Sequence, residues 1–145
     1  MLKTVLVFIS VFLCVSGAKG GSLNPVKPDS SARPTSVMYV FEGSDWCASC
    51  LRFKNKVLND SAFRAALDSA YTRMELLDFP QRKKLTEQTV SYNNEMAEKL
   101  GFNGNFPTIV VYSLKNNKFR TLNYRNEEAP EFLQVLLSEL KSLNE

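Results

Sequence analysis

Val37-Met-Tyr-Val-Phe41, then Glu42-Gly-Ser-Asp45, then Trp46-Cys-Ala-Ser-Cys50: this run is the centre from which the rest of the chain is read. Its first five residues are apolar and rich in strand formers, and turn residues flank them. That is the pattern of a buried strand over Ser36 to Phe41. The polar turn leads into residues that open a helix, which puts Cys47 at a helix N-terminus. Unsatisfied N–H groups and the helix dipole stabilise an anion there. The thiolate is the reactive form of cysteine, and such a setting lowers a thiol pKa. Cys50, one turn on, is near enough to close a disulfide. The run therefore has the character of a redox dithiol on a strand-to-helix turn.

Beyond Cys50 the apolar residues Leu51, Phe53, Val57 and Leu58 continue at mostly helical spacing, and Asp60 or Ser61 can cap a second short helix over Ala62–Leu67. Tyr71 to Leu77 predicts a strand, ended by Asp78-Phe79-Pro80. From Gln81 to Leu100 the positions Leu85, Thr89, Tyr92, Met96 and Leu100 recur at helical spacing, with Gly101 as terminator. Thr108 to Tyr112 is a β-branched strand, and Lys118 to Tyr124 is its partner across a tight Asn116-Asn117 turn. A last helix opens at Glu127–Pro130, with Phe132, Leu133, Leu136, Leu137 and Leu140 on one face. The order β-α-β-α-β-β-α implies an α/β fold with parallel pairing and an antiparallel terminal hairpin, a mixed sheet of about four strands flanked by helices.

Upstream, Met1-Leu-Lys3 is a short positive segment, Thr4 to Val15 is apolar, and Ser16-Gly-Ala18 supplies small residues for a cleavage site. The apolar stretch is shorter than the roughly 18 residues of a spanning helix. Residues 1–18 are accordingly expected to be an export signal, with residues 19–35, bearing Gly20-Gly21 and three prolines, a flexible leader. The domain is expected over 36–145. Cleavage would remove Cys14 and leave Cys47 and Cys50 as the only cysteines. Membrane attachment would follow only from a retained signal or from lipidation of Cys14, and Phe12-Leu13 before it argue against lipidation.

With 145 residues, 44% hydrophobic and 23% charged, the chain has the composition of a globular domain rather than a disordered one. A net charge of +3, scattered and without interleaved aromatics, gives no basis for nucleic-acid binding. Structural zinc wants four ligands, and a chain with no histidine and three cysteines lacks them. A purely stabilising disulfide over a four-residue ring would contribute only ~2 kcal/mol.

A Cys-x-x-Cys pair alone is a weak signal. Phe41-Glu-Gly-Ser-Asp-Trp-Cys-Ala-Ser-Cys50 after a strand, joined to Gly104-Asn-Phe-Pro-Thr108 before another, is a stronger one. Over nearly all of Ser36 to the C-terminus the chain resembles the thioredoxin superfamily, and in particular its exported bacterial members. The resemblance implies that Cys47 is the attacking nucleophile and Cys50 the resolving thiol. It makes Trp46, Phe106, Pro107 and Thr108 substrate-binding residues, with Pro107 cis beside the disulfide. Three features depart from the family: Ala48-Ser49 replaces its usual Gly-Pro, the spacer from Gln81 to Gly101 is long, and Phe41 stands where many members bury an acid. Glu42 is next door, on the opposite side of a regular strand. Asp45, just before the pair, is expected to oppose ionisation of Cys47.

The implied function is a thiol-disulfide oxidoreductase that reduces protein disulfides outside the cytosol, periplasmic or secreted. No cofactor beyond the Cys47–Cys50 pair is implied. The expected partners are disulfide-containing proteins and an unidentified electron donor, for a monomer that binds no nucleic acid. An oxidase or isomerase, and a non-catalytic chaperone-like module, are the alternatives.

Overall fold

The computed structural model describes residues 33–145. The signal at 1–18 and most of the leader at 19–35 lie outside the described residues. Strand β1 spans Ser36–Glu42 and leads through the polar turn to helix α1, Ala48–Phe53, which runs on as a π-helical turn over Lys54–Leu58. Helix α2 is Ser61–Ser69, capped by the Asp60 carboxylate on Phe63 N at 2.7 Å. Then come β2 (Thr72–Asp78), α3 (Glu87–Lys99), β3 (Thr108–Ser113), β4 (Lys118–Leu122) and α4 (Ala129–Asn144).

The four strands form one sheet in the order β2-β1-β3-β4. Every residue of β1 is buried, as a central strand covered on both faces requires. Its side chains alternate between two cores. Met38 and Val40 join Phe53, Val57, Phe63, Phe132, Leu136 and Leu140 under α1, α2 and α4. Val37, Tyr39 and Phe41 join Leu77, Met96 and Leu100 under α3. The burial of α4 follows its capping box, Glu128 with Glu131, and a stripe at Ala129, Phe132, Leu136, Leu140 and Leu143. Leu137, expected on that stripe, is 39% exposed.

The sheet is mixed, as expected, but one pairing differs from the expectation that strands joined by crossover helices run parallel. β1 and β2 are parallel, with Glu42 opposite Asp78. β3 runs antiparallel to β1, with Thr108 opposite Phe41. Thus β2 ends and β3 begins at one end of the sheet. Helix α3 does not carry the chain back along the strands: Asn93 donates to the Asp78 carbonyl at 2.7 Å, and Gly101, just past its end, lines a cavity with Thr108.

Two boundaries also move. Helix α3 starts at Glu87 rather than Gln81, with Thr86 as its cap on Thr89 N at 3.2 Å. Its buried face is Asn93, Met96 and Leu100, while Thr89 and Tyr92 are exposed. The β3–β4 hairpin has a four-residue loop, 114–117, in which Asn117 alone is left-handed (φ +53°). Gly101 does end α3 with φ +63°, a conformation glycine adopts without steric penalty.

Candidate active site

The polar turn is closed by the Gly43 carbonyl, which accepts from Trp46 N at 3.3 Å and Cys47 N at 2.9 Å. Cys47 is the N-cap of α1. Its backbone is extended (φ −84°, ψ 102°), and its Sγ accepts the Cys50 N–H at 3.1 Å. A sulfur thus stands where a capping oxygen usually satisfies a free donor of the first turn. Cys47 and Cys50 are joined in a disulfide, their Cα atoms 5.3 Å apart. Both side chains are buried, at 5% and 3% exposure.

The Gly104–Thr108 loop meets the residues around this pair, Trp46 and Ser49, through Phe106. The Phe106–Pro107 peptide bond is cis. The Ser49 hydroxyl links the two pieces, donating to the Phe106 carbonyl at 3.1 Å and lying 3.3 Å from Cys47 Sγ. Thr108 is buried, and its hydroxyl is committed to the Asn105 carbonyl at 2.7 Å, holding the loop closed. Phe106 meets the Trp46 ring edge to face at 5.2 Å and Phe102 at 4.9 Å. Phe102 in turn stacks on Phe41 at 4.4 Å. Trp46, 39% exposed, donates from Nε1 to the Phe79 carbonyl at 2.9 Å.

A second set of bonds fastens the turn to the segment after β2. Ser44 donates from its N–H and its hydroxyl to the Asp78 carboxylate, at 2.9 and 2.8 Å. Lys83 Nζ meets the same carboxylate at 2.6 Å. The Asp45 carboxylate accepts three consecutive backbone N–H groups, from Gln81 (2.9 Å), Arg82 (2.7 Å) and Lys83 (2.8 Å). These bonds, the Gln81 N–H foremost, hold the Asp45 pKa down at about 2. They are also the reason α3 starts late, since 81–83 turn around a carboxylate instead of entering a helix. The Asp45 charge meets those N–H dipoles, which screens the repulsion of the Cys47 thiolate expected from adjacency alone. Burial works to raise the Asp78 pKa, but Lys83 and Ser44 outweigh it and the net direction is down.

Glu42 follows the strand alternation. Phe41 goes to the α3 face, and Glu42 points to the α1 face with only 5% exposure. Burial pushes its pKa up, partly countered by the Lys54 ammonium and reinforced by Asp78.

The structure brings Trp46, Cys47, Cys50, Phe106, Pro107 and Thr108 to one end of the sheet. Sequence reasoning missed Gly43, Ser44, Ser49, Asp78 and Lys83 as parts of this site. Lys83, in the stretch expected to open a helix at Gln81, is instead an ion-pair partner of Asp78. Ser49 alone had a usable signal, its place between the cysteines.

No family model matches the chain. The disulfide bond reductase DsbH of Chlamydia pneumoniae is 25% identical over 105 residues, which are 72% of this chain and 62% of that protein. The chain thus matches less than two thirds of that relative's length. Among solved structures, a DsbH oxidoreductase superposes with a TM-score of 0.66 at 22% identity, covering 84% of this chain and 94% of the other. A thioredoxin from Thermus thermophilus superposes with a TM-score of 0.48 at 19% identity, over 71% of this chain and 72% of its own.

Proposed function

We propose that the chain, which shares the fold of the DsbH oxidoreductase it superposes on, is a thiol-disulfide oxidoreductase of thioredoxin type reducing protein disulfides outside the cytosol. The observation that carries this is the Cys47–Cys50 disulfide at the start of α1, with a backbone N–H already on Cys47 Sγ and the Ser49 hydroxyl joining that sulfur to the carbonyl of the cis Phe106–Pro107 bond. The N–H stabilises a thiolate, and a position at the helix start favours it further.

In the reduced enzyme the Cys47 thiolate attacks one sulfur of a substrate disulfide. A Cys47–substrate bond forms, the substrate S–S bond breaks, and the departing sulfur leaves as a thiolate that takes up a proton. Cys50, deprotonated, then attacks Cys47 Sγ. The enzyme disulfide re-forms and the second substrate sulfur is released. Two electrons pass from the dithiol to the substrate, and a donor of the same chemical class restores the pair. The dithiol itself is the redox group, with no added cofactor. Trp46, Phe106 and Pro107 are the surfaces against which the substrate chain rests, and the monomer is the working unit.

The direction of flow is supported by the name of the similar protein, a disulfide bond reductase. Export is supported by the pattern Met1–Ala18, and among the described residues no helix is long and apolar enough to cross a membrane. The test combines a potential with a trap. A reduction potential near the roughly −270 mV of thioredoxin fits a reductase, whereas one near about −120 mV makes the protein an oxidant. Cys50→Ser should accumulate a mixed disulfide with a disulfide-bearing protein, and Cys47→Ser should abolish reduction. A pair that does not exchange with any thiol buffer while folded would leave a non-catalytic binding module.

A further inference from the structure

Ser49 has one hydroxyl hydrogen and two acceptors within reach, the Phe106 carbonyl at 3.1 Å and Cys47 Sγ at 3.3 Å. Neither sulfur of a disulfide carries a hydrogen, so among these three groups the hydroxyl is the only donor. With a neutral sulfur the carbonyl is the better acceptor. With a thiolate the order reverses, because a hydrogen bond to an ionised acceptor is about twice as strong as a neutral one. The change needs no side-chain movement, only rotation of the hydroxyl about its C–O bond.

Resting on the assignment of Cys47 as the attacking thiolate, we propose that Ser49 is a further catalytic residue whose hydroxyl hydrogen turns from the Phe106 carbonyl to Cys47 Sγ when that sulfur becomes a thiolate. Two consequences follow. The thiolate gains a second donor beside the Cys50 N–H. At the same moment the Phe106 carbonyl loses its partner, and an acceptor next to the reactive sulfur opens to an N–H of the incoming chain. Once Cys47 is again in a disulfide, the hydroxyl returns to the carbonyl, which has two lone pairs and can keep an N–H of the substrate chain as well. No electron passes through Ser49, and its proton stays on its own oxygen.

The test uses the full chain with Ser49→Ala and Ser49→Thr. Titrating the ultraviolet absorbance of the Cys47 thiolate in the reduced proteins should show Ser49→Ala raised by about one pH unit, a tenfold loss in the thiolate-to-thiol ratio. Ser49→Thr, which keeps the hydroxyl, should restore the wild-type midpoint. Stabilising the thiolate stabilises the reduced form, so Ser49→Ala should have the lower potential. The difference should be full above both midpoints, about 30 mV for tenfold, and should vanish below them. The Phe106 carbonyl carbon resonance should shift between oxidised and reduced wild type, and less so in Ser49→Ala. An unchanged midpoint in Ser49→Ala, or a raised midpoint that Ser49→Thr fails to restore, would overturn the role of the hydroxyl. A wild-type pair that exchanges with no thiol buffer would bring down the oxidoreductase assignment as well, so the two failures are distinct.

Discussion

The indole of Trp46 lies directly on the α-carbon of Gly43: a methyl group built there would sit 2.4 Å from Cε2 and 2.5 Å from Nε1 of the ring. Gly43 is therefore required by close approach, and the same contact holds Trp46 where its Nε1 reaches the Phe79 carbonyl.

Gly43→Ala should destabilise the protein by about 1–3 kcal/mol, the usual range for forcing extra volume into a packed contact. Because the ring must move, its bond to Phe79 should be lost as well. Urea unfolding gives the first quantity. The emission of Trp46, the chain's one tryptophan, reports the second through a shift toward the water-exposed maximum. A variant with wild-type emission and stability would show that the ring is not held by this contact.

Asp45 makes stability depend on acid. Its folded pKa is depressed from 3.8 to about 2, the Gln81 N–H being the largest cause. A depressed carboxyl contributes stability above its unfolded pKa and loses it as pH falls through the folded one. Asp45→Ala should thus be less stable than wild type at pH 7, and the gap should narrow between about pH 4 and about pH 2. Urea midpoints of both proteins across that range test it. Proteolytic nicking in 81–86 should rise in the variant, since three N–H groups lose their acceptor.

Glu42 has the opposite sign. Burial raises its folded pKa above the ordinary glutamate value. A carboxyl raised in this way favours folding below its unfolded pKa and opposes it once pH passes the folded value. Replacing Glu42 with Gln removes the buried charge, so Glu42→Gln should be the more stable protein at pH 7. Its advantage should disappear as pH falls below the ordinary glutamate range. Equal midpoints for the two proteins at pH 7 would mean that Lys54 offsets the burial completely.

Much of the site is legible in residues 36–50, because strand, turn and helix start are local events. Alternating burial in β1 follows from a two-residue period. The left-handed Gly101 and the Glu128–Glu131 cap are likewise set by neighbours in the chain. Periodicity also located the helix ending at Lys99, though not its start.

What tertiary structure alone decided are the relations between distant segments. The direction of β3 depends on where α3 delivers the chain, which a list of helices and strands does not contain. Residues 81–83 have helix-compatible side chains, yet their N–H groups bind Asp45, 36 to 38 residues away. Ser49 meets Phe106 across 57 residues. Local propensities are worth tenths of a kcal/mol per residue, whereas a carboxylate with three N–H partners is a set of charge-assisted bonds that overrides them. The amino-acid sequence by itself determined the dithiol turn, the order of the elements and the faces of most of them. Which backbone groups that turn captures, and what touches Cys47, came only from folding the chain onto itself.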